Sequence, residues 1–80
     1  MPLLSPEQCR AARGLLDWTQ EELAERANVS RSTIRDFENG RHVLNPVTAA
    51  QVAAAFEDGG AQLIPPGGGG PGVRLRRPFD

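Results

Sequence analysis

Lysine and tyrosine are missing from this 80-residue chain, which also carries a single cysteine and a single histidine. Cys9 has no partner for an intramolecular disulfide, and Cys9 and His42 together supply too few sulfur and imidazole ligands for a four-ligand metal cluster. No metal or other cofactor is expected, and so sparse a cysteine content suits a reducing cytoplasm. No segment approaches the ~20 consecutive apolar residues that span a bilayer. Nor does the N-terminus join a basic start to an apolar run, so neither a membrane anchor nor an export signal is expected. A nucleophile-base-orienter set is absent, as is a glycine-rich loop entering a helix, so no enzyme is expected.

An excess of positive charge is missing too. Nine basic residues, all arginine, face ten acidic ones for a net charge of -1, so the chain as a whole does not attract phosphate. Placement says more than the total. Arg31, Arg35 and Arg41 fall on or just after one short segment, and Arg74, Arg76 and Arg77 fall near the C-terminus, while Glu21, Glu22 and Glu25 gather elsewhere as a solvated or cap-forming face. A hydrophobic content of 39% fills one small core and no more. Chains of this size bury only ~60% of their unfolded surface, so pairing with a second copy is an expected source of further stability.

Ser5-Pro6-Glu7-Gln8 reads as a helix start, with Ser5 capping, Pro6 where a missing N–H costs nothing, and Gln8 closing a capping box. That helix is expected to run to about Leu16, with Cys9, Ala12, the Arg13 stem and Leu16 turned inward. Cys9 is read as a small buried apolar residue. Asp17-Trp18-Thr19 breaks the helix, and Thr19 with Glu22 forms a second capping box for a helix from Gln20 to about Ala27. Leu23, Ala24 and Ala27 share its inner face, and Trp18 is expected to pack near its start.

Asn28-Val29-Ser30 then forms a corner: Asn28 tolerates the left-handed conformation, Val29 plugs the angle, and Ser30 caps a third helix from Arg31 to about Asn39. Gly40 is its expected left-handed terminator. Ile34 and Phe37 turn inward, while Arg31, Ser32, Arg35 and Asp36 do not. Arg41 to Leu44 is a loop, and Asn45-Pro46 starts a fourth helix running to about Asp58, apolar through Val47, Ala50, Val52, Ala54 and Phe56. A helix of that kind is expected to be buried or to pair with a copy of itself.

Gly59-Gly60 ends the helix, and Ala61 to Ile64 reads as a short strand. PPGGGGPG, residues 65–72, suits neither a helix nor a strand interior; because it leads into another strand-like run, it does not fit a nucleotide-binding loop. Val73-Arg74-Leu75-Arg76 alternates apolar and basic residues as a strand with one wet face does. Two expectations compete here. The tail is either a strand pairing with residues 61–64, in the same or a partner chain, or a basic arm touching phosphate, and the strand is favoured. Residues 1–58 are thus taken as one domain and residues 59–80 as a strand and linker extension that could serve dimerisation.

Gln20-x-x-Leu23-Ala24, Asn28-Val29-Ser30, Ile34 and Phe37-Glu38-Asn39-Gly40 together resemble the helix-turn-helix of the lambda-repressor-like family, also called the Xre or Cro/C1-type family of DNA-binding regulators. The match runs over roughly residues 5–57 and departs from the usual pattern at Asn28, where the family has glycine. The resemblance implies an all-α domain of about four helices, here followed by a short C-terminal hairpin or strand, with the helix Arg31 to Asn39 lying in the DNA major groove. On that basis Ser30, Arg31, Ser32, Arg35 and Asp36 are candidates for base contact. Arginine reads guanine through paired hydrogen bonds to O6 and N7, which makes Arg31 the first choice, and Asp36 could accept from cytosine or orient an arginine. Candidates for the phosphates are Thr19, Gln20, Thr33, Asn39 and Arg41. His42 is read as a loop residue or phosphate neighbour. The resemblance also implies a structural ion pair, Arg13 with Glu38.

The expected function is that of a bacterial or phage transcriptional regulator, cytoplasmic and on the nucleoid when bound, acting as a homodimer on a palindromic operator. Its expected partners are double-stranded DNA and a second copy met through the last helix and C-terminal strand. An alternative from another class is an antitoxin-like or adaptor module whose tail binds a second protein while the helix-turn-helix serves autoregulation.

Overall fold

The computed structural model describes residues 4–76; Arg77 of the basic tail lies outside the described residues. Four helices come first, α1 (Pro6–Leu16), α2 (Gln20–Ala27), α3 (Arg31–Glu38) and α4 (Pro46–Gly59), followed by strands β1 (Ala61–Ile64) and β2 (Gly72–Leu75). This is an all-α domain with a two-stranded antiparallel hairpin at its C-terminal end.

Each helix begins on a side-chain cap. Ser5, Thr19, Ser30 and Asn45 each accept the backbone N–H three residues on, and Gln8 and Glu22 reciprocate to complete the first two capping boxes. A cap of this kind is worth ~1 kcal/mol, a useful contribution because isolated helices this short are marginal in water. Left-handed residues close α1 and α2: Asp17 at φ 57° and Asn28 at φ 59°. Asn28 was anticipated, Asp17 was not. α3 stops one residue short of expectation, since Asn39 is its right-handed C-cap and the left-handed turn falls on Gly40 at φ 77°.

The core gathers Cys9 and Ala12 of α1, Leu23, Ala24 and Ala27 of α2, Ile34 and Phe37 of α3, and Val52, Ala55 and Phe56 of α4, with Leu4 and Ala61. Full burial of a side chain such as Leu23, Ile34 or Phe56 contributes ~1.5–3 kcal/mol. The expectation for α4 needs correction by face. Val52, Ala55 and Phe56 are buried, but Val47, Ala50 and Ala54 are exposed, because at 3.6 residues per turn those three fall on the opposite side. Trp18 stacks on Phe56 with ring centroids 5.9 Å apart, and the Arg26 guanidinium lies 4.5 Å over its ring. Gly59 closes against that same ring, where an added Cβ would come within 2.6 Å of Trp18.

β1 and β2 pair within the chain, Ala61 with Leu75, Gln62 with Arg74, Leu63 with Val73 and Ile64 with Gly72. Alternation sends Ala61, Leu63 and Val73 to the core and leaves Gln62 and Arg74 on the wet face, where Arg74 Nε donates to Gln62 Oε1 at 2.9 Å. A lone two-stranded ribbon is marginal in water. Here β1 lies along α4 and β2 along α1, which supplies the missing support. Gln8 fastens it: its buried amide donates to both Ile64 O and Gly72 O at 3.0 Å while its Oε1 accepts from the Ser5 N–H.

Candidate nucleic-acid interface

α2 and α3 meet at the Asn28-Val29-Ser30 corner, where the Val29 N–H reaches back to Ala24 O at 3.0 Å and the half-buried Val29 fills the angle. Burial of Ile34, Phe37 and Glu38 fixes the rotation of α3. Arg31, Ser32 and Arg35 are therefore presented to solvent, with Asp36 and Thr33 half-buried at the margin.

Not all of these side chains are equally free. Ser30 Oγ accepts the Thr33 N–H at 3.2 Å and shares hydrogen bonds with Ser32 Oγ at 3.2 Å and Thr33 Oγ1 at 2.7 Å, so it acts first as the helix cap. Arg35 Nε donates to Asp36 Oδ1 at 3.2 Å, an orienting contact that leaves the remaining guanidinium N–H groups pointing onward. Arg31 lines an open polar groove of about 400 Å³ with Arg13, Thr19, Gln20 and Glu21, next to the N-terminus of α2. Asn39 and Arg41 are exposed beyond the end of α3, where the Arg41 and His42 N–H groups both donate to Asp36 O. The sequence-derived candidates thus fall into two neighbouring groups, one on the outer face of α3 and its C-terminal turn and one around the start of α2.

Behind this surface lies a charged network. Arg13 Nε and Nη2 grip Glu38 Oε2 and Oε1 at 2.8 and 2.7 Å, and Gln20 Nε2 adds a bond to Oε1 at 2.9 Å. The Glu38 side chain is almost wholly buried, whereas Arg13 keeps a fifth of its surface in water. Burial pushes the Glu38 carboxyl up, but Arg13, Cys9 and Gln20 together outweigh it and hold the group below the usual carboxylate range. Arg13 is raised by its hydrogen bond to Glu38 against the opposing effect of burial. Cys9 is driven strongly upward by burial, and the adjacent Glu38 adds to the effect, so its thiol stays protonated. Arg10 Nη1 donates to Glu38 O and ties α1 to the end of α3. That arginine was not singled out from sequence, and nothing in its local pattern distinguishes it from a solvated one.

Two short helices set at a tight corner, the second with its outer face unburied and its inner face locked by a charged pair, define a helix-turn-helix module. The helix-turn-helix family model matches residues 10–57, well over half the chain. This chain belongs to that family, in its Cro/C1-type, lambda-repressor-like form, and is in general terms a DNA-binding regulator. No curated protein matches it. Among the described residues no helix is long and apolar enough to cross a membrane.

Proposed function

We propose that the chain is a sequence-specific transcriptional regulator that binds a palindromic operator as a homodimer, with α3 and its C-terminal turn to Asn39 in the major groove. The observation that carries this is the division of α3: Ile34, Phe37 and Glu38 are buried while Arg31, Ser32 and Arg35 stand in solvent on the opposite side. Arg31 and Arg35 are assigned direct base contact, with Asp36 orienting Arg35. Ser32 contributes a less discriminating contact, and Ser30 acts mainly by holding the start of the helix. Thr19, Gln20, Thr33, Asn39 and Arg41 are assigned to the phosphates on either side. Contacts of this kind draw on neutral donors and helix starts as well as charge, so a net charge near zero is compatible with binding. Repression by occlusion needs no parts beyond these, and the regulator would work in the cytoplasm, on the nucleoid.

Homodimer formation is assigned to the outward side of α4; the C-terminal strand, the other contact expected, is paired with β1 inside the chain and packed on α1. The assignment is supported by Val43 and Val47, which are 91% and 71% exposed beside an apolar groove of about 430 Å³ lined by Leu4, Phe37, Leu44 and Ala49 among others. The decisive experiment selects bound duplexes from a random-sequence pool and repeats the selection with Arg31→Ala. A relaxed or shifted preference at one position of each half-site, with ~1–3 kcal/mol of discrimination lost there, is expected. An unchanged preference and affinity would remove Arg31 from the interface.

A further inference from the structure

The C-terminal ribbon carries two arginines at the same end of the molecule as the start of α2. β2 and α1 run side by side in the same direction: Gly72 O takes the amide of Gln8 near the beginning of both, and Leu75 and Arg76 share a groove with Leu15 and Leu16 at the end of both. The lengths agree, since Gln8 to Leu16 rises ~12 Å as helix and Gly72 to Arg76 ~13 Å as strand. α4 ends at the same place. Gly59 lies against the ring of Trp18, which directly precedes Thr19, and Arg76 N donates to Gly60 O at 2.8 Å.

Both arginines are held by neutral oxygens. Arg74 Nε donates to Gln62 Oε1, and Arg76 Nη1 donates to Glu57 O at 2.8 Å. Among the described residues the ion pairs engage Arg13 and Arg35 instead. The ribbon therefore orients two guanidinium groups without neutralising them. Glu57 and Asp58 stand beside Arg76 and temper its field, but among the described residues neither carboxylate comes within ion-pairing distance of Arg74 or Arg76. Arg76 follows β2 by one residue and still pairs through its N–H with Gly60 O, and residues two apart in extended chain stand ~7 Å from each other, the order of the spacing between successive phosphates on one DNA strand.

We propose that the outer face of this ribbon, through Arg74 and Arg76, is a second phosphate-binding surface that grips the DNA backbone flanking each half-site. It rests on the assignment of α2 and α3 to DNA and extends the contacted backbone past the start of α2. Its contribution is independent of base sequence, because it adds affinity and salt dependence and leaves base preference to α3.

The test measures affinity against salt concentration for a duplex enriched by the wild-type protein from a random pool, with and without several added flanking base pairs. Arg74→Gln/Arg76→Gln is expected to lower the slope of log K against log salt by about 1.8, at ~0.9 per phosphate lost, with the selected base sequence unchanged. The effect is confined to the flanked duplex. Arg74→Lys/Arg76→Lys keeps the charges and is expected to retain the wild-type slope, which separates charge from any loosening of the hairpin. A slope unchanged in the glutamine variant, or lost equally in the lysine variant, overturns the proposal while leaving the α3 interface standing. Failure of the wild-type protein to enrich any duplex overturns both.

Discussion

Glu38 is the residue on which the candidate interface is mounted. It is the last residue of α3, yet its carboxylate is held by α1 through Arg13 and by α2 through Gln20, so one buried group registers three helices against each other. Glu38→Gln leaves the Arg13 guanidinium without its counter-charge, and a loss of about 3 kcal/mol is expected by urea denaturation at pH 7, near the low end for buried pairs because Arg13 still reaches water. The wild-type protein also carries a pH signature. Since the folded-state pKa of Glu38 lies below its unfolded value, the stabilisation is complete above about pH 4.3 and is lost as pH falls through the folded value. Stability of Glu38→Gln should fall less steeply than wild type across that acid range; parallel curves would show that Glu38 is not coupled to its partners as described.

At the scale of elements, what could be read in advance was what lies close in sequence. Ser5, Thr19, Ser30 and Asn45 were legible as caps because a cap acts over three residues, and Asn28 was legible as a left-handed corner because the backbone demand sits on that residue itself. The outward face of α3 followed from the same local periodicity. Contacts between distant segments left no such trace. Gln8 read as half of a capping box, and its second role as the clasp of a hairpin 56 and 64 residues away has no local signature. Gly59 read as a helix terminator, yet it is the last residue of α4 and is there because Trp18 occupies the space a side chain would need. Trp18 is held between Phe56 and Arg26, so moving its ring disturbs both contacts. Gly59→Ala is therefore expected to destabilise by ~1–3 kcal/mol in thermal or chemical unfolding, despite the better helix propensity of alanine. A gain in stability would mean that the stack yields.

At the scale of the whole molecule, size bears on assembly. The domain measures 33 × 27 × 19 Å, and half-sites one helical turn apart lie ~34 Å from centre to centre, so two copies on adjacent half-sites must come close. α4 was legible as an apolar helix, but which of its residues face out depended on how it is rotated against α2, and that was settled only by the packed core. Val47→Glu alters the outward side and spares Val52, Ala55 and Phe56. It is expected to shift sedimentation toward monomer and weaken binding to a two-half-site duplex by tenfold or more, about 1.4 kcal/mol or above, while binding to a single half-site is unchanged. An unaltered sedimentation profile would move the contact away from α4.

The clasp between Gln8 and the hairpin has a bearing on how the protein comes into being. On the ribosome α1 emerges early, but the buried amide of Gln8 meets its first carbonyl only with Ile64 and its second only with Gly72. Sequence-distant contacts of this sort slow folding and postpone it until β2 has been made. A nascent copy halted before β2 would leave the side of α1 that β2 covers open to other chains, so synthesis through β2 is itself a condition for a well-behaved product.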